Sequence, residues 1–258
     1  AYGSSATRVN WSANQQLEAR TTSTDSMTGD ELPNRQIITY NGIAGTNFTY
    51  DGLTTEQRNL IGIDEAAQRQ KLNFLRGSTS REVRNGGVFR NRYSMLGDFV
   101  HSAPVLVELP GTNGQFDYDG DLANDDENLV LVGGNDGMLH VFNAESGEEV
   151  FAYVPNEVFK NLEKLTDPYY THRYFVDNSP FGAQVDNRTL VVGGFGKGGK
   201  GIYCLDLTPV NSLGSKTNVA NSIITQAESY ADEIVKWEFP GASSLVSGVE
   251  VSPDPDMG

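Results

Sequence analysis

The chain has 258 residues, 38% of them hydrophobic, with 28 Gly, 12 Phe and 11 Tyr, a mixture that suits short strands joined by tight turns and argues against a helical bundle. Its 34 acidic and 19 basic residues leave a formal charge of −15, whose field repels phosphate backbones and anionic surfaces, so nucleic acid is not an expected partner. The single cysteine, Cys204, excludes an intrachain disulfide, and no apolar run reaches the roughly 20 residues of a membrane-spanning helix.

Taken in order, residues 1–47 scatter Thr, Ser, Asn and Gly around short apolar islands such as Arg35 to Tyr40, which predicts loops and one or two edge strands. Thr54-Thr55-Glu56-Gln57 reads as a capping box, because Gln57 can reach back to the cap amide; Gly62 ends the helix it opens. A second helix is expected from Asp64 through Leu75, stopping at Gly77. Ser78 to Tyr93 reads as a surface loop, its arginines Arg81, Arg84, Arg90 and Arg92, with Arg76 just before, pairing with local carboxylates. Residues 1–93 are thus an N-terminal segment with two short helices, expected to pack on the strands that follow.

Strands begin after Leu96, with Pro104 to Leu109 the first. Leu129 to Val132, Met138 to Asn143 and Glu149 to Val154 form an antiparallel meander, its first turn supplied by Gly133-Gly134-Asn135-Asp136-Gly137. A second copy starts at Thr189: Gly193-Gly194 overlays Gly133-Gly134 at an offset of 60 residues, Ile202 to Leu207 overlays Met138 to Asn143, and Lys236 to Pro240 overlays Phe151 to Pro155. An all-strand unit recurring at this spacing is the mark of a propeller. The expected fold class is therefore all-β, a β-propeller fragment of about two to three four-stranded antiparallel blades with small helical insertions. The first blade spans 94–155, the second 156–240, and 241–258 starts a third. Asn156 to Leu165 reads as a short helix, Arg173 to Val176 as the opening strand of the second blade, and Ser212 to Asp232 as a polar insertion. The alanine start and an end that closes no strand suggest a piece of a longer protein.

The densest chemistry lies in Asp117-Tyr118-Asp119-Gly120-Asp121-Leu122-Ala123-Asn124-Asp125-Asp126-Glu127, six carboxylates in eleven residues. Asp117, Asp119, Asp121 and Asp125 fall at loop positions one, three, five and nine, with the carbonyl of Ala123 at position seven, the way a calcium loop wraps its ion. Glycine at position four and Asn128 at position twelve separate it from an EF-hand. Gly194 to Gly201 imitates a phosphate-binding loop but has Gly201 where Ser or Thr would meet magnesium, and a strand follows, so it reads as a hairpin turn. His101, His140 and His172 are too dispersed to declare a site. His140, between Leu139 and Val141, is expected to pack between blades with both ring nitrogens hydrogen-bonded, and Cys204 reads as a buried strand thiol.

Trp11-Ser12-Ala13-Asn14, Phe74-Leu75-Arg76-Gly77, Leu96-Gly97-Asp98-Phe99-Val100-His101-Ser102-Ala103-Pro104, Gly134-Asn135-Asp136-Gly137-Met138-Leu139-His140, Tyr153-Val154-Pro155 and His172-Arg173-Tyr174-Phe175-Val176-Asp177 form an ordered set across nearly the whole chain. In that set the chain resembles the PilY/PilC family of type IV pilus tip-associated proteins. The resemblance implies a quinoprotein-like, non-catalytic, calcium-binding propeller at the cell surface, at or near a pilus tip. It would act in pilus biogenesis and adhesion, with minor pilins or other pilus components and a host or abiotic surface as partners. Ser78 after Arg76-Gly77 departs from an RGD sequence, so integrin-type recognition is not carried over. The alternative is a quinone-dependent dehydrogenase propeller, which needs an aromatic ring on an axial quinone, whereas only Trp11 and Trp237 are present.

Overall fold

The computed structural model describes residues 10–109, 128–211, 230–240, 244–246 and 249–251. Helix α1 (Ala13–Glu18) is followed by the antiparallel pair β1 (Thr22–Thr24) and β2 (Glu31–Pro33), then by β3 (Ile37–Tyr40) and β4 (Gly45–Asn47). The capping box forms: Thr54 Oγ1 accepts from Gln57 N at 3.2 Å, and Gln57 Oε1 accepts from Thr54 N at 3.1 Å. Two donors that helix geometry orphans are satisfied, and α2 (Thr55–Ile61) runs to Gly62. Asp64 caps α3 (Glu65–Leu75), accepting from Ala67 N at 2.8 Å.

The segment from 78 to 93 is more than the surface loop its composition suggests. It folds around Glu82, which is fully buried because Arg92 and Arg84 reach its carboxylate at 3.0 and 2.7 Å. Arg81 pairs with Asp30 at 2.8 Å, as the arginine-rich sequence predicts. Arg92 also lies 3.7 Å over the Phe74 ring, so burial of its stem holds the loop against α3.

The first meander is β5 (Val105–Val107), β6 (Leu129–Gly133), β7 (Leu139–Asn143) and β8 (Glu149–Val154), all antiparallel neighbours. Gly137, at φ +95°, closes the β6–β7 hairpin as a residue without Cβ must. All six residues of β8 are buried, so its free edge cannot be left to water. β3 closes it in parallel register, Ile37 against Ala152 and Thr39 against Val154, and β4 pairs beyond. The sheet is therefore six-stranded in the order β4-β3-β8-β7-β6-β5, not four-stranded. The N-terminal segment supplies two of its strands.

Helix α4 (Phe159–Leu162), flanked by 3-10 turns, buries Phe159 and Leu162. The second meander is β9 (Phe181–Val185), β10 (Arg188–Gly194), β11 (Ile202–Asp206) and β12 (Val235–Phe239), four antiparallel strands in sequence order. Asp186 and Asn187, both at positive φ, form the two-residue turn between β9 and β10. The 60-residue repeat holds in register: Gly133 faces Leu139 in the first sheet, and Gly193 faces Tyr203 in the second. Each meander is interrupted by a bulge between its third and fourth strands, at Val141/Phe142 and at Cys204/Leu205. A hairpin of β13 (Ser244–Val246) and β14 (Val249–Val251) follows.

Arg173 to Val176, read as a strand, is not one. Its amides are used elsewhere: Phe175 N donates to Asn135 Oδ1 at 3.0 Å, Val176 N to Gly134 O at 3.4 Å and Asp177 N to Phe195 O at 3.2 Å. The segment thereby stitches the hairpin ends of the two sheets together. Beneath it lies one shared core, in which Leu131, Leu139 and Tyr153 of the first sheet join Val191, Tyr203 and Leu205 of the second. Each such side chain contributes about 1.5–3 kcal/mol on burial.

The glycine repeat is required by packing. A Cβ on Gly193 would fall inside the envelope of the Tyr203 ring and hydroxyl, and one on Gly133 would meet the Val176 carbonyl. Gly193→Ala is expected to lower stability by about 1–3 kcal/mol through overpacking. Urea unfolding checks this; an unchanged midpoint would show that Tyr203 can move aside.

Candidate functional site

The two sheets meet along a seam with polar ends and a buried ionic support, built by loops the strands hold in place. At one end, the chain entering β5 runs beside the chain entering β9. His101 Nδ1 lies 2.6 Å from Asp177 Oδ2, Asp177 Oδ1 accepts from His101 N at 3.3 Å, and Ala103 N donates to Ser179 Oγ at 2.8 Å. His172 Nε2 stands 2.8 Å from Asp98 Oδ2, and both His rings flank Tyr174, with centroids at 5.5 Å for His101 and 5.0 Å for His172. Lys197 Nζ lies 5.2 Å from the same ring. Two histidines that sequence spacing leaves unrelated are thus gathered by one tyrosine.

At the outer end, Tyr153 Oη donates to Glu238, which also accepts from Asn156 N at 2.8 Å. Tyr203 packs edge-on against Tyr153, centroids 5.3 Å apart, while its own hydroxyl is buried without a hydrogen-bond partner. Burial pushes the Glu238 carboxyl up to about 7, against the lowering pull of the Tyr153 and Asn156 hydrogen bonds. Nothing in the chain's spacing marks Glu238; it sits between Trp237 and Phe239 on a strand.

Behind the first sheet, four ionisable side chains alternate in sign. Arg35 holds Glu149 through both carboxylate oxygens at 2.7 Å, His140 Nδ1 lies 2.8 Å from Glu149 Oε1, and His140 Nε2 lies 3.0 Å from Asp136 Oδ2. Asp136 also accepts from Gly97 N at 2.9 Å. Burial alone would depress the His140 pKa, but the Asp136 and Glu149 carboxylates outweigh it and raise it to about 9. Burial would likewise raise Glu149; Arg35 and His140 hold it well below the usual carboxylate range instead. Both His140 nitrogens are hydrogen-bonded as expected, but the ring does not pack between blades: it shares the Val132 face of the first sheet, opposite the core the two sheets share, where its carboxylate partners are. An isolated Glu on a strand as apolar as β8 was the available signal for this cluster.

The sequence-predicted metal residues, Asp117, Asp119, Asp121, Ala123 and Asp125, lie outside the described residues. The strands on either side are described, and they pair: Val107 faces Leu129. Among the described residues, no group of three or more His, Cys, Asp or Glu is placed to hold a metal. Gly194 to Gly201 is a hairpin connection containing a short 3-10 turn, followed by β11, and Cys204 is buried in that strand with its thiol pKa raised by burial. No helix among the described residues is long and apolar enough to cross a membrane.

Two antiparallel meanders repeating in register, packed through one core and stitched at their hairpin ends, define a segment of a β-propeller. The chain belongs to the PilY1 beta-propeller domain family, whose model matches residues 96–226. A type IV pilus biogenesis factor PilY1 homolog of Xylella fastidiosa (strain Temecula1) is 35% identical over 164 residues, which is 57% of this chain and 13% of the relative. The type IV pilus biogenesis factor PilY1 of Pseudomonas aeruginosa is 34% identical over 201 residues in strain UCBPP-PA14, covering 69% of this chain and 16% of the relative. In strain PAK it is 32% identical over 213 residues, covering 70% and 18%. The matched stretch is less than a fifth of each relative's length. No solved structure matches.

Two titration outcomes follow from the seam. The Glu238 pKa is raised from its ordinary 4.5 to about 7, so the folded state holds a proton that the unfolded chain releases, and stability falls as pH rises across that window. Glu238→Gln should match wild type below pH 4.5 and exceed it above pH 7, by up to about 3 kcal/mol at roughly 1.4 kcal/mol per pH unit. Thermal unfolding at the two pH extremes reads this, and a less stable variant at high pH would refute it. His140 carries the same sign: its contribution is complete below 6.5 and is lost as pH climbs through about 9. Removing one partner of the buried set, Glu149→Gln, should cost about 3–5 kcal/mol in urea unfolding and flatten that alkaline loss. A variant within 1 kcal/mol of wild type, on the order of a surface pair, would mean the network is not dry.

Proposed function

We propose that this chain is a calcium-binding propeller module of a type IV pilus biogenesis factor, acting at the cell surface in pilus assembly and adhesion. The observation that carries the reading is the spacing Asp117, Asp119, Asp121, Asp125, with the Ala123 carbonyl, in a stretch whose flanking strands β5 and β6 pair with each other. Donor chemistry supports the ion: crowded carboxylates repel one another by several kcal/mol unless a cation shares them, and hard oxygen donors in this number suit calcium. When bound, calcium supplies charge neutralisation and a fixed loop. The carboxylates of Asp117, Asp119, Asp121 and Asp125 would hold it.

Membership in the PilY1 propeller family, and relatives named as pilus biogenesis factors, support pilus components such as minor pilins as partners and the pilus tip as location, with host or abiotic surfaces as targets. Those names also favour a non-enzymatic module over the quinone-dependent dehydrogenase. The charge of −15 supports the absence of nucleic-acid binding, and no DNA should be retained at physiological salt.

Thermal unfolding in calcium and in chelator tests the ion. At a calcium concentration a hundredfold above its dissociation constant, the folded state should gain about 2.7 kcal/mol, and magnesium should substitute poorly because it demands a tighter octahedron. Asp121→Ala should erase the gain while leaving circular dichroism unchanged. Equal wild-type midpoints in both buffers would reduce the stretch to a solvated acidic turn.

A further inference from the structure

The segment before the first meander carries a cleft of its own. Four stretches meet there: the end of α1 running into β1, strand β2, the chain that follows α3, and the approach to β5. The cleft has a volume of about 420 Å³, within the roughly 300–1,000 Å³ of small-ligand sites. It is built from residues 18–95, outside the stretch 96–226 that the propeller family model matches. Its floor is set in advance. Arg92 donates to Glu82 Oε1 at 3.0 Å, to Phe74 O at 2.7 Å and to Ser78 O, while Arg20 donates to Asn34 O at 2.7 Å and to Glu149 O. Glu82 is fully buried and is also held by Arg84 at 2.7 Å. Guanidinium groups already fixed on main-chain carbonyls need no ordering when a ligand arrives, which removes a cost that binding otherwise carries. Gly77 closes the floor, since a Cβ there would stand 2.6 Å from Met95 Sδ and 2.9 Å from Pro33 Cγ.

The rim is open to a ligand. Glu18 and Glu31 are exposed, half of the Arg84 side chain is exposed, and the Thr22 and Thr79 hydroxyls stand beside them. Across floor and rim, Arg20, Arg84 and Arg92 balance Glu18, Glu31 and Glu82, so the cleft is neutral in a chain of charge −15. Neither an anion nor a polycation therefore finds a field to draw it in. Acceptors and donors stand side by side instead, an arrangement a ligand hydroxyl uses fully because it donates one hydrogen bond and accepts others. Tyr93, fully exposed at the rim, adds a flat apolar face with a polar tip that gains burial only when something lies on it.

We propose that this cleft is a saccharide site, taking a neutral mono- or disaccharide whose C–H face stacks on Tyr93 and whose hydroxyls are held by Glu18, Glu31 and Arg84. It extends the adhesive part of the proposed function by naming a ligand class, and it rests on that part only for its setting. The residues that hold the sugar are not those that would hold calcium.

Saturation-transfer NMR on the 258-residue chain tests this, with methyl glucoside, methyl galactoside, methyl mannoside, N-acetylglucosamine and lactose as probes. At least one of these neutral sugars should bind, with an affinity indifferent to salt and equal in calcium and in chelator. Tyr93→Ala should weaken that binding about tenfold, the equivalent of one good ring contact, and Tyr93→Phe should keep it. Glu31→Gln should weaken it several-fold, and Tyr169→Ala, at another exposed tyrosine that does not line the cleft, should leave it unchanged. Circular dichroism checks that each variant folds. The proposal is overturned if no neutral probe binds, or if Tyr93→Ala binds as wild type does. It is equally overturned by a preference for glucuronate that fades with salt, which would make the cleft an anion site, and by binding in calcium alone, which would place the sugar at the acidic stretch. Sugar binding that persists where calcium gives no stabilisation would remove the calcium reading and leave this one standing.

Discussion

The interaction on which most of this structure leans is the buried run Arg35, Glu149, His140, Asp136. Each member lies on a different piece of chain: the approach to β3, the start of β8, the middle of β7 and the β6–β7 turn, with Gly97 donating from the approach to β5. Taking four charges out of water costs several kcal/mol for each ion, and only alternation of sign with near-complete hydrogen bonding offsets that cost. The arrangement is therefore poor as a source of bulk stability and strong as a selector. A register slip of β3 along β8 would leave Arg35 and Glu149 unpaired in a dry interior. The parallel pairing of β3, which has no short turn to dictate it, is fixed by that penalty together with the need to close the edge of β8.

The two sheets share a strand plan but not this device. Cys204 stands where His140 stands in the first sheet, and the ion pair on its face, Arg188 with Asp206 at 3.8 Å, has a solvent-exposed arginine in place of the buried Arg35 set. One repeat thus fastens its covering segment by a buried charge network, and the other carries a mainly hydrophobic outward face with an exposed ion pair at one edge. That difference matches what covers the first face: the N-terminal segment, whose arrival has no short turn to align it.

What the sequence made legible was whatever is decided locally. Short apolar runs bounded by glycine-rich turns located β6, β7, β8, β10 and β11 to within a residue or two, and Thr54 with Gln57 located the start of α2, because both signals depend on neighbours along the chain. Partner choice across long separations was not legible. β3 joining β8, and Tyr174 gathering His101 and His172, are decided by the packed fold. In β12, Glu238 is buried while Trp237 and Phe239 are exposed, the reverse of what side-chain polarity indicates. The inversion makes sense because Tyr153 and Asn156 satisfy the carboxylate on the core face, while the two rings stand on the opposite face of the strand. Asp186-Asn187 has the residue types of a tight turn, but the strands on either side of it are weakly patterned, so the turn alone does not mark a hairpin.

The shortest strand of the first sheet occupies the most consequential place. β5 has three residues, pairs with β6 on one side, and meets the second sheet on the other: Val107 packs where Gly182 lacks a side chain, and Thr189 Oγ1 donates to Glu108 O at 3.1 Å. Three residues of antiparallel pairing are marginal by themselves, so the strand is held as much by its ends as by its ladder. One end is fastened by the His101–Asp177 and Ala103–Ser179 contacts, which also define the polar rim of the seam. The other end runs directly into the acidic stretch that contains Asp117 to Asp125. An ion gathering those carboxylates would therefore do more than quiet local repulsion. By fixing the far end of β5, it would tighten a strand that belongs to the first sheet and bears on the second, carrying the effect of a bound cation from the loop into the seam between the sheets.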